Sequence, residues 1–208
     1  MKIPKSAEKF IAEQISLINE NPECANAHYN LGVTMMELGQ YDQAIELFEE
    51  AIANSGRMFE GYVNLGYIYL KKRDLEMVAA TNKKAVEIEP RYARGYANMG
   101  FAYLEMACPD EAIEALEKAI ELNPEIVQAW SNLINAYLQK DEIDKAIETG
   151  KKLIEFAPEF SLGQNNLATA YYLNEEYDKA IEHLDIAMRQ GFSVHPDFLK
   201  ELQPYRER

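Results

Sequence analysis

The sequence predicts an α-helical solenoid, a fold whose product is an extended surface rather than a closed pocket. Two observations carry that expectation. The chain repeats with a period of 34 residues, and within each period apolar residues recur at helical spacing. Five blocks begin at Ala25, Phe59, Ala93, Val127 and Ser161, with no insertion between them. Their sixth residue is always asparagine: Asn30, Asn64, Asn98, Asn132 and Asn166. The seventh is Leu31, Leu65, Met99, Leu133 and Leu167, and the eleventh is Met35, Tyr69, Tyr103, Tyr137 and Tyr171. The twentieth is Ala44, Val78, Ala112, Ala146 and Ala180; the thirty-second is Gly56, Pro90, Pro124, Pro158 and Phe192.

Taken in order, the elements start with a lone helix over 6–20, with Phe10, Gln14 and Leu17 at the offsets of a second repeat helix, so that it covers the open side of the next helix. Pro22 then falls where a thirty-second residue would stand. Five helix pairs follow, 25–38 with 41–53, 59–72 with 75–88, 93–106 with 109–122, 127–140 with 143–156, and 161–174 with 177–190. In the first pair Leu31, Met35 and Leu38 line one face, and Ala44, Ile45, Phe48 and Ile52 answer them. Pro90, Pro124 and Pro158 disfavour helix in the residue before them. Pro109 instead opens a helix, where its missing N–H costs nothing and Asp110 and Glu111 suit the dipole. A last polar helix starts at Pro196, with Phe198, Leu202 and Tyr205 toward the preceding pair and Lys200, Glu201, Arg206 and Glu207 toward water.

The fourth block departs from the pattern. The glycine of earlier blocks (Gly32, Gly66, Gly100) becomes Ile134, the alanine at offset 27 becomes Leu153, and the bulky offset 24 becomes Gly150. An exchange of volumes between facing positions is expected there.

The pattern resembles the tetratricopeptide repeat, W-x2-L-G-x2-Y, then A-x3-F, then P. The third block matches it best, through Tyr96, Met99, Gly100, Tyr103, Ala112, Leu116, Ala119 and Pro124. The resemblance spans about 170 of the 208 residues. It implies an all-α, right-handed superhelix of antiparallel helix pairs. The organisation expected is an N-terminal capping half-repeat over 1–24, repeats over 25–58, 59–92, 93–126, 127–160 and 161–194, and a C-terminal capping helix over 195–208.

Composition narrows the function. At 48% hydrophobic and 27% charged the chain can bury a core. It has no apolar run long enough for a membrane span, and nothing of signal-peptide type follows Met1-Lys2-Ile3-Pro4-Lys5, so a cytoplasmic location is expected. Cys24 and Cys108 fall in the two different loop types, on opposite edges of a solenoid about 20 Å apart at 1.5 Å per residue. A disulfide needs roughly 7 Å, so no internal bridge is expected. No basic residue flanks Cys108 to stabilise a thiolate for redox sensing.

No catalytic, metal or cofactor site stands out. His28 takes an offset where the family often has tryptophan and reads as a packed helix residue. His183 and His195 make no recurrent zinc spacing with Asp185 or Asp197. Gly150-Lys151-Lys152 lacks the upstream glycine and the Ser/Thr of a phosphate loop. The carboxylates are spread over helix surfaces. The expected function is therefore binding, not catalysis.

In the family fold, offsets 2, 5, 6, 9, 12 and 13 of each first helix point into a concave groove. Asparagine amides there pair a donor with an acceptor and suit the backbone of an extended peptide; equally, they can satisfy hydrogen bonds within the fold. The expected peptide-binding set is the asparagine series Asn30, Asn64, Asn98, Asn132 and Asn166, together with Tyr29, Tyr67, Arg94, Phe101, Leu104, Asn135 and Tyr172. Groove charges are Glu37, Glu60, Lys71, Arg94 and Glu105, three acids against two bases, a balance of −1. The −14 of the whole chain lies mainly on second helices, at residues such as Glu111, Glu114, Glu117 and Glu121. That charge serves solubility or forms a second, convex interface for a basic partner; it disfavours nucleic acid. The carboxylate clamp by which co-chaperone repeats hold chaperone tails maps to Tyr29, Val33, Asn64, Arg94 and Asn98, of which only Asn64 and Arg94 match, so such tails are disfavoured. The expectation is an adaptor that binds an extended, partly apolar segment. The alternative is a self-assembling scaffold in which a terminal helix docks into a neighbour's groove.

Overall fold

Twelve helices and no strand make up residues Lys5–Arg206, the part of the chain that the computed structural model describes. Met1–Pro4 and the Glu207 expected to face water lie outside the described residues. The helices are α1 (Lys5–Glu20), α2 (Ala25–Glu37), α3 (Tyr41–Ser55), α4 (Phe59–Lys72), α5 (Leu75–Ile88) and α6 (Ala93–Glu105). They continue as α7 (Pro109–Leu122), α8 (Val127–Gln139), α9 (Ile143–Phe156), α10 (Ser161–Leu173), α11 (Tyr177–Arg189) and α12 (Pro196–Arg206). From α2 to α11 every helix begins at the residue its apolar periodicity predicts. The chain divides into two compact units, residues 1–95 and 96–208, with the division inside α6.

Local chemistry sets the helix ends. Asp74 caps α5 by accepting a hydrogen bond from the Met77 N–H at 3.1 Å. Pro109 occupies the first turn of α7. Gly56 ends α3 in the left-handed conformation, φ 66°, where the next three blocks use proline. In three of the first helices the residue at offset 4 closes the loop before it by a hydrogen bond to the carbonyl six residues back. His28 Nε2 meets Pro22 O at 2.8 Å, Trp130 Nε1 donates to Pro124 O at 2.9 Å, and Gln164 Nε2 donates to Pro158 O at 3.1 Å. The packed role expected of His28 is thus a specific loop closure.

One regularity has no residue signature. Each turn from a first helix to its partner holds a left-handed residue at the same offset: Gly39 (φ 75°), Arg73 (59°), Ala107 (57°), Asp141 (60°) and Glu175 (61°). An L-residue with a Cβ is strained there. Ala107→Gly is expected to raise stability by about 0.5–1 kcal/mol, while Ala80→Gly, in exposed mid-helix α5, lowers it by about 1 kcal/mol. Urea midpoints of the two variants beside the parent check both signs.

Within the helix pairs, glycine permits close approach. A Cβ at Gly32 would lie 2.9 Å from Phe48 Cε1, and one at Gly100 only 2.4 Å from Leu116 Cγ. In the α8–α9 pair the sizes are exchanged. Ile134 is fully buried, and the room at Gly150 is taken by Leu167 of the following helix, whose Cδ1 would be 2.8 Å from an added Cβ. Leu153 fills the space over Gly163, at 2.7 Å from an added Cβ.

At the start of the chain the structure departs from expectation. Gln14 is buried and accepts a hydrogen bond from Asn30 Nδ2 at 3.4 Å, but Phe10 and Leu17 are 39% and 46% exposed. Helix α1 meets α2 by a face that does not include those two side chains. At the other end α12 packs as the sequence predicts. Leu202 is fully buried, Phe198 meets Tyr172 edge-on at 5.4 Å, and Tyr205 stacks on Tyr177.

Candidate functional site: the faces of the first helices

In the first unit, α2 and α4 lie side by side, and the site offsets of both fall on the face they share. Tyr67 and Leu70, one turn apart on α4, are 45% and 36% exposed. Beside them Val33 and Met36 of α2 are half-buried. Lys71 Nζ lies over the Tyr67 ring, 5.4 Å from its centroid, in a cation–π contact. Tyr29 packs against Phe48 at 5.7 Å, which holds its hydroxyl in place. Asn64 Nδ2 donates to that hydroxyl at 3.3 Å. Arg94 and Glu60 are exposed. The face therefore combines two open apolar side chains with the Asn64 amide, the cations Lys71 and Arg94 and the acid Glu60.

In the second unit, α10, the loop after α11 and α12 enclose a cleft of about 460 Å³. Asn165, Thr169, Tyr172 and Leu173 of α10 form one wall, and Phe198 and Glu201 of α12 the other. Thr169 Oγ1 donates to Asn165 O at 3.1 Å, and Asn165 Nδ2 donates to Asn166 Oδ1 at 3.5 Å. Leu173 is 50% exposed. Burial pushes the Tyr172 hydroxyl pKa up, and the Glu201 carboxylate beside it adds to the rise. Burial likewise lowers the pKa of His183, which stacks on Tyr171 at 5.4 Å and meets Gln164 at 2.8 Å.

The expected residues divide three ways. Tyr67 and Arg94 are presented openly; Tyr29, Asn98, Phe101, Asn135 and Tyr172 are half-buried; Asn30 is exposed at the rim. Leu104, expected to contact a partner, is instead 6% exposed in the core with Leu116, Leu133 and Tyr137, because the α6–α8 approach closes over it. Asn132 and Asn166 are also buried. Asn166 Nδ2 donates to Ser131 Oγ at 2.9 Å and to Ser131 O at 3.2 Å. Asn64 and Asn166 thus tie their helix to the residue at offset 5 of the block before, wherever that residue carries a hydroxyl. Two features escaped the sequence reading. Leu173 sits at groove offset 13, so its position was legible. Phe192, Ser193 and His195 reach the cleft from the loop after α11, away from the groove offsets of the first helices.

Away from these faces, ion pairs such as Lys118–Glu121 and Lys152–Glu148 are exposed, and each of these contributes little to stability. Cys24 and Cys108 are free thiols. Among the described residues no cluster of His, Cys, Asp or Glu has the makings of a metal site, and no helix is long and apolar enough to cross a membrane.

Family models described as the tetratricopeptide repeat match residues 25–56, 59–92 and 93–126, and one described as the PPR repeat matches 128–156. No curated protein matches the chain in sequence. Solved structures do resemble it. The MamA protein aligns with a TM-score of 0.76 at 24% identity, over 84% of this chain and 100% of its own. YrrB, described as a TPR protein with an unusual peptide-binding site, aligns with a TM-score of 0.77 at 20% identity, over 93% and 97%. The pilF protein of Pseudomonas aeruginosa aligns with a TM-score of 0.67 at 22% identity, over 83% and 79%. At these identities the likeness is one of fold.

Proposed function

The chain belongs to the tetratricopeptide-repeat family, and we propose that it is a non-enzymatic, cytoplasmic adaptor that binds an extended, partly apolar protein segment on its first-helix faces. The observation that carries this reading is the open pair Tyr67 and Leu70 at groove offsets, framed by Val33, Met36 and the Asn64 amide. Large apolar side chains left in water beside polar amides favour a partner that brings both apolar side chains and backbone hydrogen-bonding groups. Leu173 and the cleft beside it extend the same chemistry in the second unit. The peptide-binding site described for YrrB supports the reading by fold analogy. The fivefold asparagine series supports it less than its regularity suggests, since Asn64 and Asn166 spend amide hydrogens on the fold. The net charge of −14 argues against nucleic acid, and the incomplete clamp against chaperone tails.

The test is selection of extended peptides from a displayed random library on the intact chain, repeated on Tyr67→Ala/Leu70→Ala. Aromatic anchors in interface centres carry about 2 kcal/mol or more. The selected peptides are therefore expected to lose roughly thirtyfold in affinity on the double variant, with native helicity. Equal affinity for parent and variant would reject this face as the binding site.

A further inference from the structure

The cleft between α10 and α12 combines aromatic walls with oxygen acceptors. Tyr172 and Phe198, both half-buried, meet edge-on with their ring planes at 85°, and Phe192 lines the cleft from the loop after α11. Its volume of about 460 Å³ gives room for one long side chain. The hydrogens of its polar groups are largely spent within the fold. Thr169 Oγ1 donates to Asn165 O, and Asn165 Nδ2 to Asn166 Oδ1. Burial pushes the Tyr172 pKa up, and the charge and hydrogen bond of Glu201 add to the rise, so the hydroxyl keeps its hydrogen and gives it to Glu201. His195, exposed on the loop, accepts at Nδ1 from the Asp197 N–H at 3.3 Å. What remains is mostly lone pairs, on the Thr169 and Tyr172 hydroxyl oxygens, the Asn165 side-chain oxygen and the Glu201 carboxylate, which has acceptor sites beyond the one Tyr172 uses.

The charge of the cleft is equally one-sided. Among the described residues no lysine or arginine lines it, and the two cations of α12 are engaged elsewhere, Lys200 with Asp197 and Arg206 with Asp185. An anion would meet the Glu201 carboxylate with no cation to offset it. A wholly apolar side chain would leave the acceptors without donors. A cationic side chain brings charge and hydrogens together, and the aromatic walls attract it further. Arginine fits better than lysine: its planar guanidinium stacks on ring faces, holds its N–H donors in a fixed fork and is more weakly hydrated than an ammonium. Its methylene stem can lie along Leu173, which is 50% exposed beside the cleft. We propose that this cleft receives the side chain of an arginine in the bound segment, with the guanidinium paired to Glu201 and stacked on the aromatic walls. That the arginine belongs to an extended segment rests on the adaptor reading; its recognition rests on the cleft alone.

The probe is N-acetylarginine methylamide, titrated into the intact chain at low ionic strength and followed by amide NMR, beside its citrulline and lysine counterparts. Citrulline keeps the shape of arginine and loses its charge. The arginine probe is expected to bind with a dissociation constant on the order of millimolar, as its size allows, and to shift signals of residues 165–173 and 192–201. Citrulline and lysine should bind severalfold more weakly. Glu201→Gln should weaken arginine binding about fivefold, the upper range for a partner as exposed as Glu201, and leave citrulline binding unchanged, with native circular dichroism. Absent shifts, or shifts scattered over the acidic helix surfaces, overturn the proposal, and so does equal affinity for arginine and lysine. A Glu201→Gln variant that binds arginine and citrulline equally less well also overturns it, because Glu201 would then support the cleft rather than meet the charge. The probe contains no extended segment, so these outcomes are independent of the peptides selected with Tyr67→Ala/Leu70→Ala, and either reading can fail while the other stands.

Discussion

Gly150→Leu is expected to destabilise the second unit by about 3 kcal/mol, the upper part of the usual range for overfilling a core. The residue restores the bulky side chain that the repeat pattern carries at this offset, as Phe48 and Leu116 do elsewhere. Sequence alone would therefore predict that Ile134→Gly, made together with it, rescues the fold by returning both sizes to their usual places. The structure predicts otherwise. The space above Gly150 belongs to Leu167, on the next helix, with three of its carbons within 3.3 Å of an added Cβ. Ile134→Gly leaves Leu167 in place and adds the loss of a fully buried side chain. The double variant should therefore melt below either single variant. A thermal or urea midpoint for the double variant above that of Gly150→Leu would show that the two sites share one space.

Removing residues 195–208 is the second change with a large expected effect. Full burial of Leu202 stabilises by about 2 kcal/mol, and the contacts of Phe198 with Tyr172 and Tyr205 with Tyr177 add about 1 kcal/mol each. The bond of Tyr205 to the Tyr177 hydroxyl, which pushes its pKa up to about 12, is lost as well. So is the two-pronged pairing of Arg206 with Asp185, which is partly exposed and contributes little. The loss of about 4 kcal/mol is a large part of the stability of an ordinary domain. Leu184, Ile181 and Tyr172 lose cover at the same time, and the shortened chain should associate. Light scattering and melting of the truncated chain beside the parent, at equal concentration, read both effects. A truncated chain that stays at one copy with an unchanged melting transition would mean that α12 is not a cap.

How far the sequence carried differs from element to element. The helix starts were legible because the 34-residue period repeats the same apolar offsets, and offset patterns depend on local geometry. The left-handed turn residues were not, since Arg73, Ala107, Asp141 and Glu175 carry none of the glycine or asparagine that usually marks such a backbone. The exchange at Ile134 and Gly150 was visible as an anomaly of size, but its partner Leu167 was not, because that contact joins helices from different blocks. The asparagine series was plain as a pattern and ambiguous as chemistry. What resolves Asn64 and Asn166 is the hydroxyl of Tyr29 or Ser131 thirty-five residues earlier, a pairing that can be read from offsets once the helix contact is known. Leu104 misled because it shares its offset with Leu70, yet one is exposed and the other buried; the neighbouring helices decide that, not the offset.

The left-handed residue of each helical turn bears on how such a chain diverges. At 39, 73, 107, 141 and 175 the backbone keeps one shape while the letter changes from glycine to arginine, alanine, aspartate and glutamate. If the blocks descend from copies of one ancestral unit, the shape is what has been inherited and the side chain what has drifted. A copy worn beyond recognition by residue comparison would still announce itself by a positive φ at the right interval. The interval holds at Asp141, between α8 and α9, where Ile134 and Gly150 break the lettered pattern on either side.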